Sequence, residues 1–226
     1  MTRIPSISVV VTARNVEKYI GRCLRSILDQ SLPRDEYEVL VVNDASSDRT
    51  LFALEVFGKD IRLTTNEKRR GLPASLNLAI RQARGRYVVR LDGDDYVNRD
   101  FLKILEMHLD MNPSIDAIAC DYLLVDGKEE VLGARDCRKE PIACAIMFRT
   151  DQLIDVGLYD ETFECREDED LRRRFERKHS ISRVQLPLYR YRRHKNNMTN
   201  DRERMGRYQK LLHAKHGARP RRGSSR

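Results

Sequence analysis

The sequence predicts an α/β domain with a mostly parallel central sheet flanked by helices. Three observations carry this. Short β-branched runs recur through the first 92 residues, at "ISVVVTA", "EVLVVND", "IRLTTN" and "RYVVRLD". Segments of about 12 residues with helical periodicity separate them, the length a crossover between parallel strands requires. The carboxyl ends of these runs carry polar residues, and ligands of open α/β sheets sit beyond those ends.

Each element follows from its local pattern. Ile7–Ala13 is a short apolar run and reads as a buried first strand rather than a signal peptide. Asn15 is placed to cap the next helix, in which Ile20, Leu24, Ile27 and Leu28 recur at helical spacing until Pro33. Glu38–Asp44 is a second strand, and "SSDRTLFALEVFG" a short helix stopping at Gly58. "IRLTTN" is a third strand ending at Asn66. "LPASLNLAIRQARG" is a helix with Pro73 in its first turn and Gly85 at its end. "RYVVRLD" is the fourth strand. The second half is less regular. "RDFLKILEMHLDMN" reads as a helix, "IDAIACDYLLV" as a strand and "IACAIMFR" as another apolar run, with a polar, turn-rich stretch from Asp126 to Lys139. "EDEDLRRRFERK" starts acidic and ends basic, as a helix dipole favours. "ISRVQLPLYRYRRH" is extended around Pro187, and residues 202–216 form a final helix. The whole is a Rossmann-like arrangement.

Composition narrows the function. The chain has 226 residues, 35% charged and 40% apolar, which suits a globular domain with a real core. No apolar run approaches the roughly 20 residues needed to span a bilayer. Five cysteines without a CxxC pair argue against a disulfide framework or zinc site and for reduced thiols in a cytoplasmic setting. Residues 201–226 hold nine Lys/Arg against two Asp/Glu, which is most of the formal net charge of +8. The tail "GARPRRGSSR" therefore reads as disordered. It is either a solubilising segment or an electrostatic contact with an anionic membrane, which would make the protein peripheral at the inner face. A nucleic-acid-binding protein would spread its charge along a folded face with interleaved aromatics, so no specific nucleic acid is expected.

"RLDGDD" crowds Asp92, Asp94 and Asp95 at the end of the fourth strand. Two carboxylates about 4 Å apart repel by roughly 4 kcal/mol at an effective dielectric near 20. Residues i and i+2 of a strand share a side, so Asp92 and Asp94 can approach one hard cation, Mg²⁺ or Mn²⁺, with Gly93 letting the chain turn. The competing reading is a turn that caps the following helix. Asp44, at the second strand end, can accept a hydrogen bond from a nucleobase N–H, or serve turn and cap chemistry. Thr12 with Asn15 and Asn43 with Asp44 are the other polar strand ends.

"SVVVTARN", "EVLVVNDASSDRT", "GLPASLNLAI", "GRYVVRLDGDD", "IMFRTDQLIDVGLYDETF", "EDEDLRRR" and "YRYRRHKNNMT" occur in an order that resembles family 2 glycosyltransferases of the GT-A fold, over about residues 6–199. The resemblance implies an inverting, nucleotide-sugar-dependent transferase working in cell-surface glycan synthesis. It implies one GT-A domain over residues 1–200, with a nucleotide-binding half (1–95) and an acceptor half (96–200), followed by the basic segment 201–226. By residue, Asp44 resembles the family's base-recognition aspartate, and Thr12 and Asn15 line the nucleotide pocket. Asp92, Gly93 and Asp94 resemble the DxD motif, with Asp92 on the ribose and Asp94 on a metal that Asp95 shares. Asp168 resembles the catalytic base, with Glu167 or Asp170 as substitutes, and His194 a histidine that completes the metal site. The implied donor is a UDP-sugar, and the acceptor a glycan, a lipid-linked sugar or a protein bound by residues 126–164.

Some positions depart from the family pattern. Thr12 stands where proline is common, and Leu76 stands where an arginine often contacts the diphosphate, which shifts that role to Arg69 or Arg70. Arg190, Arg192 and Arg193 either hold the diphosphate or cover the surface. A sugar-phosphate nucleotidyltransferase would need a glycine-rich loop after the first strand, and "TARNVEK" has none. A nucleotide-binding domain without turnover is the remaining alternative.

Overall fold

Alternation along the first strand sorts the core into two layers. β1 (Ile7–Ala13) sends Ile7, Val9 and Val11 into one apolar cluster and Val10 into the other, because successive strand side chains point to opposite faces. The first layer is completed by α1 (Ile20–Leu28), α2 (Thr50–Glu55) and α4 (Phe101–Met111). The second is completed by α3 (Leu72–Arg81), α5 (Thr150–Asp155) and α6 (Glu167–Phe175). Ile20, Leu24 and Ile27 of α1 are fully buried, and burial of a side chain of that size stabilises by about 1.5–3 kcal/mol. The computed structural model describes residues 4–195 and 197–217. The expected disorder of the basic tail lies almost wholly outside them.

The sheet also contains β2 (Tyr37–Asn43), β3 (Arg62–Thr65), β4 (Tyr87–Asp92), β5 (Tyr96–Val97), β6 (Ala117–Val125), β7 (Val131–Arg135), β8 (Ile146–Arg149) and β9 (Ile181–Arg192). Its order is β3-β2-β1-β4-β8-β6-β9-β5, with β7 beside β6. Strands β1 to β4 pair in parallel, as do β6 and β9. β8 runs against β4 and β6, and β5 against β9. One sheet thus carries both halves of the chain, and its register aligns Thr12 with Asp92 and Ala13 with Asn43 at a common edge.

Several local expectations are revised. Asn15 does not cap α1, which begins at Ile20. It adopts φ 53° and its Oδ1 accepts from the Ser47 backbone N–H at 2.8 Å. α3 ends at Arg81, short of Gly85, because Gly85 is needed for close approach to β1: a Cβ there would lie 2.5 Å from the Ser8 nitrogen. β9 passes through Pro187 by register shifts against Cys120–Tyr122, which accommodates a residue with no N–H to donate.

The final helix, α7 (Arg202–His216), is held by a small cluster of Phe163, Cys165, Tyr208 and Leu212 and by two aspartates. Asp160 accepts from Lys215 Nζ at 2.6 Å. Asp170, fully buried, lies 2.7 Å from both Lys215 Nζ and His216 Nε2 and 2.9 Å from Arg174 Nε. Burial alone would raise the Asp160 carboxyl, but its bonds to Lys215 and to Thr162 bring it down to about 2, and Asp170 is lowered in the same way. A depressed folded-state value means the stabilisation is fully present above the unfolded value, roughly 3.9, and is lost as pH falls through the folded one. The α7 docking contacts are therefore expected to loosen between about pH 4 and pH 2, before the β1–β4 core. NMR resonances of the Tyr208 ring, followed against those of buried Tyr87, measure this.

Candidate functional site

The site forms at the carboxyl edge of β1, β2 and β4, where the backbone stops pairing and side chains are free to meet a ligand. β2 ends in Asn43 and Asp44. Asp44 is 4% exposed and its oxygens accept from Asn66 Nδ2 at 2.9 Å, the Arg70 N–H at 2.7 Å and the Gly71 N–H at 2.9 Å. Burial pushes this carboxyl up, but those bonds outweigh it and hold it below its ordinary value, so it stays an anion. Asp44 thereby ties the turn before α3 to the strand end. Arg14, across from it, donates to the Asp44 and Ala45 carbonyls at 2.6 and 2.9 Å. Thr12 and the exposed Asn15 stand on the β1 side of the same edge.

On the β4 side the acids are separated by partner. Arg90, two residues before Asp92 and therefore on the same face of β4, is 7% exposed. Its Nε and Nη2 fork onto the two oxygens of Asp92 at 2.7 and 3.2 Å, and its Nη1 donates to Glu167 Oε1 at 2.9 Å. Asp94 Oδ2 lies 2.8 Å from His194 Nε2, and the His194 ring stacks on Tyr19. Asp95 turns inward. It is 2% exposed, with Oδ1 accepting from the Arg192 N–H at 2.8 Å and Oδ2 from the Tyr189 hydroxyl at 2.7 Å. Burial, then the Asp94 and Asp92 charges, push its carboxyl well up. Gly93 allows the turn to press on β1, since a Cβ there would lie 3.0 Å from the Thr12 carbonyl oxygen.

At this edge two groups of atoms stand close enough for a cation. Asp94 and His194 present an oxygen and a nitrogen 2.8 Å apart, near the roughly 2.9 Å between adjacent vertices of an octahedral Mg²⁺ site, and imidazole also suits the transition metals. Asp92, Asp95 and Cys144 also bring one ligand atom each within 4.8 Å of one another. In that second group the thiol sulfur is a soft donor, poorly matched to a hard ion. The sequence expects Asp95 to share a metal with Asp94; in the fold its two oxygens accept from the Arg192 N–H and the Tyr189 hydroxyl, so it braces the turn from behind.

α6 brings the remaining acids. Arg166, at φ 61°, turns the chain so that Glu167 and Asp168 open the helix. Glu167 is 3% exposed, and burial raises its carboxyl against the opposing pull of Arg90. Asp168, beside it, is half-buried and faces no such pairing in the Arg90 fork. Asp170 belongs to the α7 contact and not to this site. Arg192 is 2% exposed and donates to the Asp94 carbonyl at 2.9 Å and to Glu129 at 3.0 Å, so it is a brace for the acidic turn and neither a diphosphate contact nor a surface residue. Leu76 is fully buried in the second layer.

Sequence reasoning missed Arg90, Tyr189 and Asn77. Asn77 donates to the Tyr159 carbonyl and Glu161 and accepts from the Tyr159 N–H, fixing the segment that leads to α6. The available signal was a polar residue inside an otherwise apolar element: Arg in "YVVRLD" and Asn in "LPASLNLAI".

A family model described as Glycosyl transferase family 2 matches residues 8–136, more than half of the chain. The chain belongs to that family. It is 38% identical over 126 residues to poly(ribitol-phosphate) beta-N-acetylglucosaminyltransferase TarS of Staphylococcus aureus, covering 54% of this chain and 21% of TarS. It is 34% identical over 124 residues to the chondroitin synthase of Escherichia coli, covering 54% of this chain and 17% of that one. The chain thus spans about a fifth of either relative. The crystal structure of S. aureus TarS 1–349 in complex with UDP superposes with a TM-score of 0.75 at 26% identity, over 92% of this chain and 64% of that one. The mannosyltransferase PcManGT from Pyrobaculum calidifontis, in complex with GDP-Man and Mn²⁺, shares the fold with a TM-score of 0.73 at 22% identity, over 95% and 64%. The architecture of this family 2 domain is GT-A. Among its described residues no helix is long and apolar enough to cross a membrane.

The Arg90 contacts make a strong demand on stability. Removing one partner of a buried charge pair costs about 3–5 kcal/mol, because the other charge is left without compensation. Arg90→Met is expected to lower the unfolding free energy of this family 2 domain by about that amount, and Arg90→Lys, which keeps charge without the fork, to recover part of it. Urea midpoints at unchanged slope measure both.

Proposed function

We propose that this chain is a metal-dependent, inverting glycosyltransferase that moves a sugar from a nucleoside-diphosphate sugar, uridine-linked, to a hydroxyl acceptor in cell-surface glycan synthesis. One observation carries the reading. The Arg90 fork joins Asp92 to Glu167, so the end of β4 and the start of α6, where Asp168 follows Glu167, lie next to each other. The S. aureus relative solved with UDP supports the uridine carrier.

In this reading Asp44, Thr12 and Asn15 bind the base and its sugar, and the exposed Arg69 and Arg70 beside Asp44 are free to approach the diphosphate. Asp92, fixed by Arg90, orients the ribose. Asp94 and His194 hold a divalent cation, which supplies Lewis-acid neutralisation of the charge that builds on the departing phosphate oxygen. Asp168 takes the proton of the acceptor hydroxyl. The hydroxyl oxygen bonds to the anomeric carbon on the face opposite the diphosphate, the old carbon–oxygen bond breaks, and its electron pair leaves with the nucleoside diphosphate. One displacement inverts the anomeric configuration. General-base assistance of this kind contributes typically about 10²–10⁴-fold. Glu167, held by Arg90 and deeply buried, positions the helix end. The peripheral membrane contact of the basic segment 201–226 belongs to the same proposal.

A screen of nucleotide sugars for nucleoside-diphosphate release with Mg²⁺ or Mn²⁺ tests it. Asp168→Asn is expected to bind UDP as wild type does while transfer drops about 10²–10⁴-fold; unchanged transfer rules Asp168 out as the base. Asp94→Ala is expected to abolish the metal dependence of UDP binding measured by calorimetry. Pyrophosphate release in place of nucleoside diphosphate would identify a nucleotidyltransferase instead.

A further inference from the structure

Glu129 stands at a turn where a side chain is costly. The β6–β7 turn runs from Asp126 to Glu130, with the Asp126 N–H donating to the Glu130 carbonyl at 3.0 Å and the Glu129 N–H to the Asp126 carbonyl at 3.1 Å. Glu129 adopts φ 70° there, in the left-handed region that glycine or asparagine usually occupies. Backbone preference therefore does not account for a glutamate, but its side-chain contacts do. Its Oε1 accepts from Arg192 Nη2 at 3.0 Å, and both oxygens accept from Arg22 Nε, at 3.2 and 3.3 Å. Burial pushes this carboxyl up, but those bonds outweigh it and hold it below its ordinary value. Glu129 is thus an anion shared by two guanidinium groups.

The two arginines connect Glu129 to the pair formed by Asp94 and His194. Arg192 is 2% exposed, and a charge that deep in a fold requires a partner. Its Nε donates to the Asp94 carbonyl at 2.9 Å and its Nη1 to the Asp126 carbonyl at 3.3 Å. Its guanidinium carbon lies over Tyr19, 5.1 Å from the ring centroid, and over Tyr96 at 5.2 Å. Arg22 lies over Tyr96 in turn, at 4.3 Å. Attraction between a cation and a ring strengthens as water is removed. Tyr19 stacks on His194, with centroids 4.9 Å apart and planes 19° from parallel. A run of contacts from Arg22 through Tyr96, Arg192 and Tyr19 therefore ends on the imidazole whose Nε2 lies 2.8 Å from Asp94 Oδ2. Arg192 bears on Asp94 through its carbonyl and on His194 through the Tyr19 ring.

We propose that Glu129 is a positioning residue for a divalent cation, fixing Asp94 and His194 at cation-binding distance through Arg192 and Tyr19. The proposal rests on the metal-dependent reading of that pair and adds the source of its rigidity. Glu129 acts through other side chains and binds neither the cation nor the donor. Metal sites are sensitive to such contacts: loss of a group that orients a ligand typically weakens metal affinity about 10- to 100-fold.

Mn²⁺ affinity of the full chain with UDP present, read from the electron paramagnetic resonance signal of free Mn²⁺, tests it. Glu129→Gln keeps the shape and removes the charge, and is expected to weaken Mn²⁺ binding about tenfold or more. Tyr19→Leu interrupts the run at its last ring and is expected to do the same, whereas Tyr19→Phe, which keeps the ring, binds as wild type does. Glu130→Gln is the matched control, an exposed neighbour in the same turn with the same change of net charge, and is expected to leave the affinity unchanged. Thermal unfolding of the metal-free variants separates the alternatives, because a merely structural Glu129 would lower the melting temperature and leave the affinity of the folded protein alone. The Tyr19 pair, outside the turn, keeps the test open if Glu129→Gln does not fold. Unchanged affinity in Glu129→Gln or in Tyr19→Leu, equal loss in Glu130→Gln, or equal loss in Tyr19→Phe overturns the proposal. A wild-type chain that takes up no Mn²⁺ with UDP overturns the metal-dependent reading and this inference with it, whereas wild-type binding that the variants match removes only the role of Glu129.

Discussion

The buried guanidinium of Arg90 is the constraint on which the rest of the site depends. It sits in β4 between the two oxygens of Asp92 and the carboxylate of Glu167. β4 is a central strand of the sheet, whereas α6 is reached only after residues 93–166. A single planar cation with several fixed donors bridges them, which lysine, with its point charge, does less well. Tyr159 lies under the same guanidinium, and Asn77 holds Tyr159 in turn. The placement of the start of α6 against Asp92 thus follows from a chain of buried polar contacts rather than from helix packing alone.

The same logic explains how three carboxylates tolerate one turn. Each has a different hydrogen-bonding partner: Asp92 has Arg90, Asp94 has His194, and Asp95 has Tyr189 and a backbone N–H. Arg192 closes the arrangement from behind through the Asp94 carbonyl. Left-handed backbone at Asn15, Ala45 and Arg166 gathers around this edge, each at a cost of about 1–3 kcal/mol. Strain of this kind persists where surrounding bonds over-determine it, as Ser46 and Ser47 do for Asn15.

α6 carries acids in its first turn and arginines in its last, the order that a helix dipole favours. The two ends of that acidic turn face different parts of the fold. Glu167 is tied to β4 through Arg90, and Asp170 is tied to α7 through Lys215 and His216. One short helix thereby couples the central sheet to the last helix of the described residues.

Much of this was legible from the chain alone, for physical reasons. β-branched runs spaced by crossover lengths determined the parallel half of the sheet, and the first strand lies where its residues require, at Ile7–Ala13. The ordered motifs identified the family, and the polar strand ends do share one edge of the sheet. Local pattern reports local energetics, so it succeeds for strands, for α7 and for the DxD turn. It says nothing about which residues distant in sequence become partners. That Asp95 faces Tyr189 and the Arg192 N–H, that Arg192 is a buried brace, that Asp170 anchors α7 and that Arg90 reaches Glu167 were decided only by tertiary structure. Each depends on burial and on a partner 46 to 97 residues away, and a charge's role is set by the partner that compensates it once water is gone.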